Sequence, residues 1–161
     1  MIYEYEEEEL KQINDMYCSV LKFPETYLRK TGADFNKAPT LELGIILDCT
    51  SSMSSWINKV KNSLNKIIER AIQECKDVGN LNCRVSLIGY RDFGHKMRFE
   101  VAGFTEDVGN VMDMISRVKA YGNGDVPEDM QGGLKMCLHQ DWTEEAVKRV
   151  ILISDAPPHG Q

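Results

Sequence analysis

The sequence has no paired-cysteine motif, no run of basic residues and no apolar stretch as long as a membrane span. Its five cysteines are an odd number at irregular spacing, which argues against a zinc knuckle or a CxxC redox motif. The net charge of -6 argues against nucleic acid, which binds a basic surface. We therefore expect buried, reduced thiols, no nucleic-acid partner and no membrane partner.

The N-terminus also lacks the basic and apolar regions of a signal peptide, so the sequence favours a cytoplasmic protein. A run of glutamates, Glu6–Glu9, opens a helix-prone stretch that Gly32 and Pro39 interrupt. Carboxylates favour the positive end of a helix, which is the simplest explanation of this run. We predict a helical N-terminal extension over residues 1–38 and a single domain over residues 39–161.

From residue 41 onward, apolar strands alternate with amphipathic helices. Strands separated by helices imply an α/β fold, with a doubly wound, mostly parallel sheet covered by helices on both faces. The predicted strands are Leu41–Leu47, Cys83–Tyr90, Met97–Phe104 and Val150–Ser154. The predicted helices run from Ile57 to Cys75, from Val108 to Val118 and from a glycine-rich loop to about Gln140.

The third strand differs from the others because only the Arg91–Lys96 connection separates it from the second. Such a short link indicates an antiparallel hairpin at the edge of the sheet. Alternation along this strand predicts that Met97, Phe99 and Val101 face inward, whereas Arg98 and Glu100 face outward.

The last strand is apolar on both faces, as expected for a strand inside a sheet. Only six residues follow Asp155, too few to cover that strand or to pair with its free edge. An uncovered apolar edge is an aggregation hazard. We therefore predict that the domain is truncated at its C-terminus.

Side chains that carry oxygen stand at the carboxyl ends of two buried strands. Asp48 ends the first strand, Thr50 and Ser52 follow it, and Asp155 ends the last strand. Ligands of doubly wound sheets bind at these ends, in the crevice where the strand order reverses. The loop over residues 122–129 can reach the same place, because its glycines permit tight turns.

Three roles are open for this group of residues: a helix cap, a catalytic nucleophile or a metal site. Ser51 or Ser52 can cap the following helix, which is compatible with metal binding. A phosphatase of the haloacid-dehalogenase type needs a second aspartate where Thr50 stands. A serine hydrolase needs a base beside its serine, and none of the three histidines is visibly so placed. We therefore predict no catalytic residues.

The metal site remains, because every candidate ligand offers oxygen. Hard cations such as Mg²⁺, Mn²⁺ or Ca²⁺ prefer oxygen ligands, whereas zinc and copper do not. Hydroxyl groups are weak donors, so the cation would stay electrophilic and keep an open position for a partner's carboxylate. The predicted metal ligands are Asp48, Thr50, Ser52, Glu128 and Asp155.

The segment DCTSS, residues 48–52, resembles the D-x-S/T-x-S motif of von Willebrand factor A domains, which opens their metal-ion-dependent adhesion site. The resemblance extends over residues 41–161 in element order. It implies a Rossmann-like fold and a protein partner that presents an aspartate or glutamate. Residues 123–128 resemble the N-x-D-x-P-E loop in the A domains of integrin beta subunits, which implies that Glu128 is the acidic ligand from the middle loop.

Two departures from the integrin pattern concern additional metals. Ser55 and Trp56 stand where an acidic pair would build an adjacent site, so we predict none there. A further metal would use Asn123 and Asp125 with an acid where His95 stands, so this second metal stays open. Two residues are candidates for the rim of the ligand site: Trp56 and His159.

The blocks GYRDFG, GDVPED and DAPPHG are similar to those of A domains joined to atypical alpha-kinases in amoebae. We predict a divalent-cation-dependent protein-binding module of the adhesion or scaffolding type, without enzyme activity. The alternative is a regulatory or targeting fragment of an atypical alpha-type serine/threonine kinase, whose catalytic domain lies outside these 161 residues.

Overall fold

The computed structural model describes residues 40–78, 81–122 and 129–155. By its contacts the chain divides into two units, Met1–Lys37 and Ala38–Gln161. The predicted helical extension lies outside the described residues, and the predicted domain limits stay predictions. The elements in chain order are β1 (Thr40–Asp48), a 3-10 helix (Ser51–Ser55), α1 (Ile57–Asp77), β2 (Asn82–Tyr90), β3 (Phe99–Thr105), α2 (Val108–Arg117), α3 (Met130–Leu138) and β4 (Val147–Ile153).

The four strands form one sheet in the order β3-β2-β1-β4. β1 pairs in parallel with β2 on one side and with β4 on the other, whereas β3 pairs antiparallel with β2 at an edge. The strand order therefore reverses between β1 and β4, which opens a crevice at their carboxyl ends. The predicted α/β fold, the mostly parallel sheet and the edge hairpin are confirmed.

Helices cover both faces of the sheet. In β1, Ile46 packs against Cys137 of α3, and a Cβ atom built onto Gly44 would meet Cys137 and Trp142. The alternate residues of β1 point to the opposite face and are fully buried. α1 and α2 contact each other and β2, so they cover that second face.

α1 and α2 bury the apolar faces that their helical spacing predicts. α1 buries Leu64, Ile68 and Cys75, and α2 buries Val111 and Ile115. Burial of each large aliphatic side chain contributes about 1.5–3 kcal/mol, so packing on the sheet stabilises these helices more than intrinsic propensity does. Within the described ranges, no helix is both long enough and apolar enough to cross a membrane.

The predicted orientation of β3 is only partly right. The strand begins at Phe99, which packs against the core as predicted, but both Met97 and Val101 are exposed. Glu100 turns inward instead, because it pairs with the buried guanidinium of Arg91 at 2.6 Å. The register with β2 is regular from Phe99 to Ala102 and shifts only between Ala102 and Thr105.

β4 lies at the other edge of the described sheet, and part of its apolar surface is open. Val150 and Leu152 are partly exposed, and Val150 lines an apolar groove of about 340 Å³ with Leu134 and Leu138 of α3. In the described part of the protein β4 pairs with β1 alone, so the predicted position inside the sheet is not observed there. The predicted C-terminal truncation stays a prediction.

A buried ion pair lies near the amino end of β1. The Glu42 carboxylate is fully buried and accepts hydrogen bonds from Arg84 at 2.6 Å and from the amide and hydroxyl of Thr143 at 2.9 Å and 2.7 Å. Several donors to one carboxylate offset the cost of removing its charge from water. This ion pair stands at the end of the sheet opposite to Asp48.

Candidate metal centre

Close contacts between oxygen atoms join side chains from the loops after β1 and β4. Thr50 Oγ1 donates to Asp48 Oδ1 at 2.7 Å and lies 3.0 Å from Ser52 Oγ. Ser52 Oγ donates to Asp155 Oδ1 at 2.9 Å. The structure therefore brings together four of the five residues that the sequence predicts as metal ligands.

Asp48 is fully buried, and both of its carboxylate oxygens accept hydrogen bonds. Oδ1 accepts from the amide of Thr50 at 2.9 Å as well as from its hydroxyl. Oδ2 accepts from the hydroxyl of Ser154 at 3.1 Å and, more weakly, from that of Tyr90 at 3.4 Å. A carboxylate held in this way orients its neighbours, Thr50 above all.

The helix-cap explanation of the serines is wrong. Ser51 and Ser52 begin a 3-10 helix, whereas α1 begins at Ile57 after Trp56, which makes no side-chain capping bond. Ser52 Oγ is bonded to Asp155 instead. The 3-10 helix between β1 and α1 therefore directs the hydroxyl of Ser52 towards the loop after β4.

The middle loop is described at its two ends. At the first end, the amide of Tyr121 donates to the carbonyl of Cys49 at 3.0 Å, and Gly122 has a φ of 141°, which favours glycine. At the other end, buried Asp129 caps α3. The predicted metal residues of this loop lie outside the described residues, and their roles stay predictions: Asn123, Asp125 and Glu128.

The predicted rim residues are only partly described. Trp56 is half-buried, with the ammonium of Lys59 5.1 Å from its ring centre. His95, where a further metal would need an acid, stacks edge-on against Tyr121 with ring centres 5.1 Å apart. His159 lies outside the described residues, so contacts of a ligand with the rim stay predictions.

The contacts of the described residues do not favour nucleophilic catalysis. Ser52 donates to a carboxylate rather than to an imidazole. His139 contacts the carbonyl of Lys135 at the end of α3, at 2.7 Å. Burial raises the pKa of the Cys49 thiol to about 12, so this thiol is protonated at neutral pH and is a weak nucleophile.

The donors of this cluster fit a small hard cation. They are two carboxylates and two hydroxyls. In the described ranges no three His, Cys, Asp or Glu side chains gather to hold a metal ion, so any ion here would need the hydroxyls as ligands, which excludes a closed zinc site of Cys and His. Neighbouring ligands of an octahedral ion with metal–oxygen distances of about 2.1 Å stand about 3.0 Å apart. The oxygens of Thr50 and Ser52 are 3.0 Å apart.

The strand order reverses between β1 and β4, and oxygen donors follow both strands. This arrangement defines a domain of the doubly wound α/β class, in which ligands generally bind at the reversal. Residues 42–161 match the family described as von Willebrand factor A domain. The protein therefore belongs to the von Willebrand factor A domain family, as the motif of its first loop predicted.

Two relatives each match about three quarters of the chain. Alpha-protein kinase vwkA of Dictyostelium discoideum is 30% identical over 123 residues, which are 74% of this chain but only 19% of that protein. An ariadne-like RING finger protein of Acanthamoeba polyphaga mimivirus is 27% identical over 122 residues, which are 74% of this chain but only 11% of that protein. The similarity therefore concerns one segment of much longer proteins.

Sequence reasoning missed the residues that support the first loop. Tyr90 and Ser154 hold Asp48, and Arg91 is completely buried although it follows β2 in a polar connection. No local spacing links these residues to the aspartate, because they meet it only after the strands have paired. The feature of the sequence that could have pointed to these residues is their position at the end of a predicted strand.

Proposed function

We propose that this protein is a divalent-cation-dependent protein-binding module of the adhesion or scaffolding type, which acts in the cytoplasm without catalysis. The observation that supports the proposal is the hydrogen-bonded cluster at the strand reversal. The hydroxyls of Thr50 and Ser52, together with Asp155, would hold the cation. Asp48 would orient Thr50 and contribute directly or through metal-bound water.

Magnesium, or manganese or calcium in its place, would supply an electrophilic centre at this position when bound. Hydroxyls that donate to a carboxylate form charge-assisted hydrogen bonds, which increase the negative charge on their oxygens. Neutral hydroxyls still transfer less charge to a cation than carboxylates do, so the site favours one more acidic oxygen. Glu128 is the predicted acidic ligand within the protein itself, and an aspartate or glutamate of the partner protein would complete the site.

The cation is tested by calorimetric titration of MgCl₂, MnCl₂ and CaCl₂ into the 161-residue protein. Ser52→Ala removes the hydroxyl that bonds Asp155, and we expect its dissociation constant to rise at least about tenfold. Ser54→Ala, an exposed position in the same 3-10 helix, is the matched control and should bind as the wild type does. Equal affinities of the Ser52 and Ser54 variants would reject this site.

The coordination position left for the partner's carboxylate is tested by water-proton relaxation with Mn²⁺ bound. This ion speeds the relaxation of water molecules that exchange on and off it. We expect relaxation to be enhanced when the ion binds to the protein, and then to fall when an acidic peptide is added. A peptide of the same sequence with glutamines in place of glutamates is the control. If both peptides act alike, the partner does not bind through its carboxylate.

The second candidate function is regulation or targeting of an alpha-type kinase. The observation that favours it is the 30% identity to the Dictyostelium alpha-protein kinase. Addition of this protein to an alpha-kinase catalytic domain should then change the rate of substrate phosphorylation or recruit that domain in a binding assay. An unchanged rate with no binding would reject this candidate.

A further inference from the structure

Arg91 is a completely buried charge next to the first loop of the candidate metal centre. It follows β2 directly, and its guanidinium pairs with Glu100 of β3 at 2.6 Å. A buried charge without a partner is strongly unfavourable, so this carboxylate accounts for the presence of the arginine inside the protein. It does not account for the remaining contacts of the guanidinium.

One contact stays within the hairpin, where Nη1 donates to the carbonyl of Met97 at 3.0 Å. The others reach a segment outside the hairpin, where Nη2 donates to the carbonyl of Lys119 at 2.9 Å. The guanidinium carbon lies 4.1 Å from the ring centre of Tyr121. A flat group with several N–H donors can bond acceptors in its plane and stack on a ring at once, which a lysine cannot do.

The segment that Arg91 holds in turn bonds the first loop. The amide of Tyr121 donates to the carbonyl of Cys49 at 3.0 Å, and the amide of Cys49 donates to the carbonyl of Tyr90 at 2.9 Å. The backbone of Cys49 is therefore fixed from two sides. Its sequence neighbours are Asp48 and Thr50, so these two bonds help to set where their side chains point.

We propose that Arg91 is a positioning residue of the candidate metal centre. By holding Lys119 and Tyr121, it fixes the backbone between Asp48 and Thr50 at the spacing that a cation requires. The inference rests on the proposed cation site and assigns to it a support that acts through the backbone of Cys49. Loss of a group that hydrogen-bonds a metal ligand directly weakens metal binding by about 10–100-fold, and Arg91 acts one step further out, so we expect an effect at the lower end of that range.

The test removes the support without leaving a buried charge. Arg91→Met combined with Glu100→Gln neutralises both partners and keeps their approximate shapes, but it deletes the bonds to Lys119 and the stacking on Tyr121. The matched control is Arg84→Met combined with Glu42→Gln. That second pair also joins two neighbouring strands at 2.6 Å, but near the other end of the sheet.

Each purified protein is titrated with MgCl₂ and MnCl₂ by calorimetry, and its Tm is measured with and without saturating cation. We expect the Arg91/Glu100 variant to bind the cation about tenfold or more weakly, and its Tm to rise less on cation addition than that of the wild type at equal cation concentration. The Arg84/Glu42 control should bind within about twofold of the wild type, even if its Tm without cation is lower.

A folded Arg91/Glu100 variant with wild-type cation affinity would overturn the inference, because Arg91 would then serve folding alone. Absence of cation binding by the wild type would reject the proposed function and this inference together, so the two failures are distinguishable. If the double variant does not fold, the same titration of the Tyr121→Leu variant tests the inference. This substitution removes a partly exposed ring from the guanidinium and should weaken cation binding several-fold, and unchanged affinity would again overturn the inference.

Discussion

Ser52 Oγ donates a 2.9 Å hydrogen bond to Asp155 Oδ1, which joins two loops 103 residues apart in the sequence. The contact exists because β1 and β4 are parallel neighbours whose carboxyl ends open on the same side. It continues a series of close oxygen contacts that begins at buried Asp48 and passes through Thr50. Two distant loops thus form one cluster of oxygens, and its chemistry leads to the following predictions.

Thr50→Val tests the inner hydroxyl while keeping the shape of the side chain. We expect the dissociation constant for Mg²⁺ to rise at least about tenfold, because a candidate ligand is lost. The free energy of unfolding should fall by about 1–3 kcal/mol, because buried Asp48 Oδ1 loses a donor. Calorimetry and urea unfolding measure the two effects.

The control for this change is Thr50→Ser, which keeps the hydroxyl and removes only a methyl group. Its cation affinity should stay within about threefold of the wild type, since a conservative replacement preserves the donor to Asp48. If the valine variant bound Mg²⁺ as well as the serine variant does, the hydroxyl of Thr50 would not be a ligand.

Ser154→Ala tests the support of Asp48 from the last loop. Loss of the 3.1 Å bond to Asp48 Oδ2 should weaken Mg²⁺ binding by about tenfold in the same titration. Ser86→Ala is the control, because the buried hydroxyl of Ser86 has no hydrogen-bond partner among the described residues. That variant should keep its cation affinity and become slightly more stable, since it removes an unsatisfied buried group. Equal affinities of the two variants would contradict a role of Ser154.

The sequence is sufficient to predict the strands and four of the converging site residues. The reason is local: an apolar run indicates a buried strand, and the polar residue after it lies at the strand's carboxyl end. Asp48 and Asp155 could be placed in this way before any strand pairing was known. The parallel pairing of β1 with β4 then brings their loops together.

Contacts between strands could not be predicted in the same way. The alternation along β3 places Glu100 outside, but the carboxylate faces inward because the buried Arg91 lies on the neighbouring strand's extension. Nothing in the local spacing indicates a buried arginine. The hydroxyl of Ser154 reaches Asp48 only through the sheet, so its role also depends on pairing between distant parts of the sequence.

Arg84→Met should separate stability from cation binding. It leaves the fully buried Glu42 carboxylate without its charged partner, and we expect the free energy of unfolding to fall by about 3 kcal/mol in urea titrations. Thr143 still donates to Glu42, and Arg84 is partly exposed, which places the loss at the lower end of the range for buried pairs. Mg²⁺ affinity should not change, and a parallel loss of affinity would show that the two ends of the sheet are coupled.

Alkaline pH should reveal the burial of the Cys49 thiol. Burial raises the pKa of this thiol from 9.0 to about 12, although the nearby Arg91 lowers it. Between these two values the unfolded protein has lost the thiol proton while the folded protein keeps it. The unfolded state then binds fewer protons, so the free energy of unfolding falls as pH rises. From about pH 8.5 to about pH 10.5, the thiol lowers the free energy of unfolding by about 2 kcal/mol, at about 1.4 kcal/mol per pH unit.

Cys49→Ala removes the titrating group from both states. Urea unfolding of both proteins at the two pH values isolates its effect, because every other group titrates alike in the two proteins. At the lower pH the variant should be less stable than the wild type, because the substitution leaves a cavity at a fully buried position. As pH rises, its free energy of unfolding should fall by about 2 kcal/mol less than that of the wild type. Parallel losses in the two proteins would show that the thiol titrates at its ordinary pKa, and would mean that water reaches Cys49 beneath the candidate metal centre.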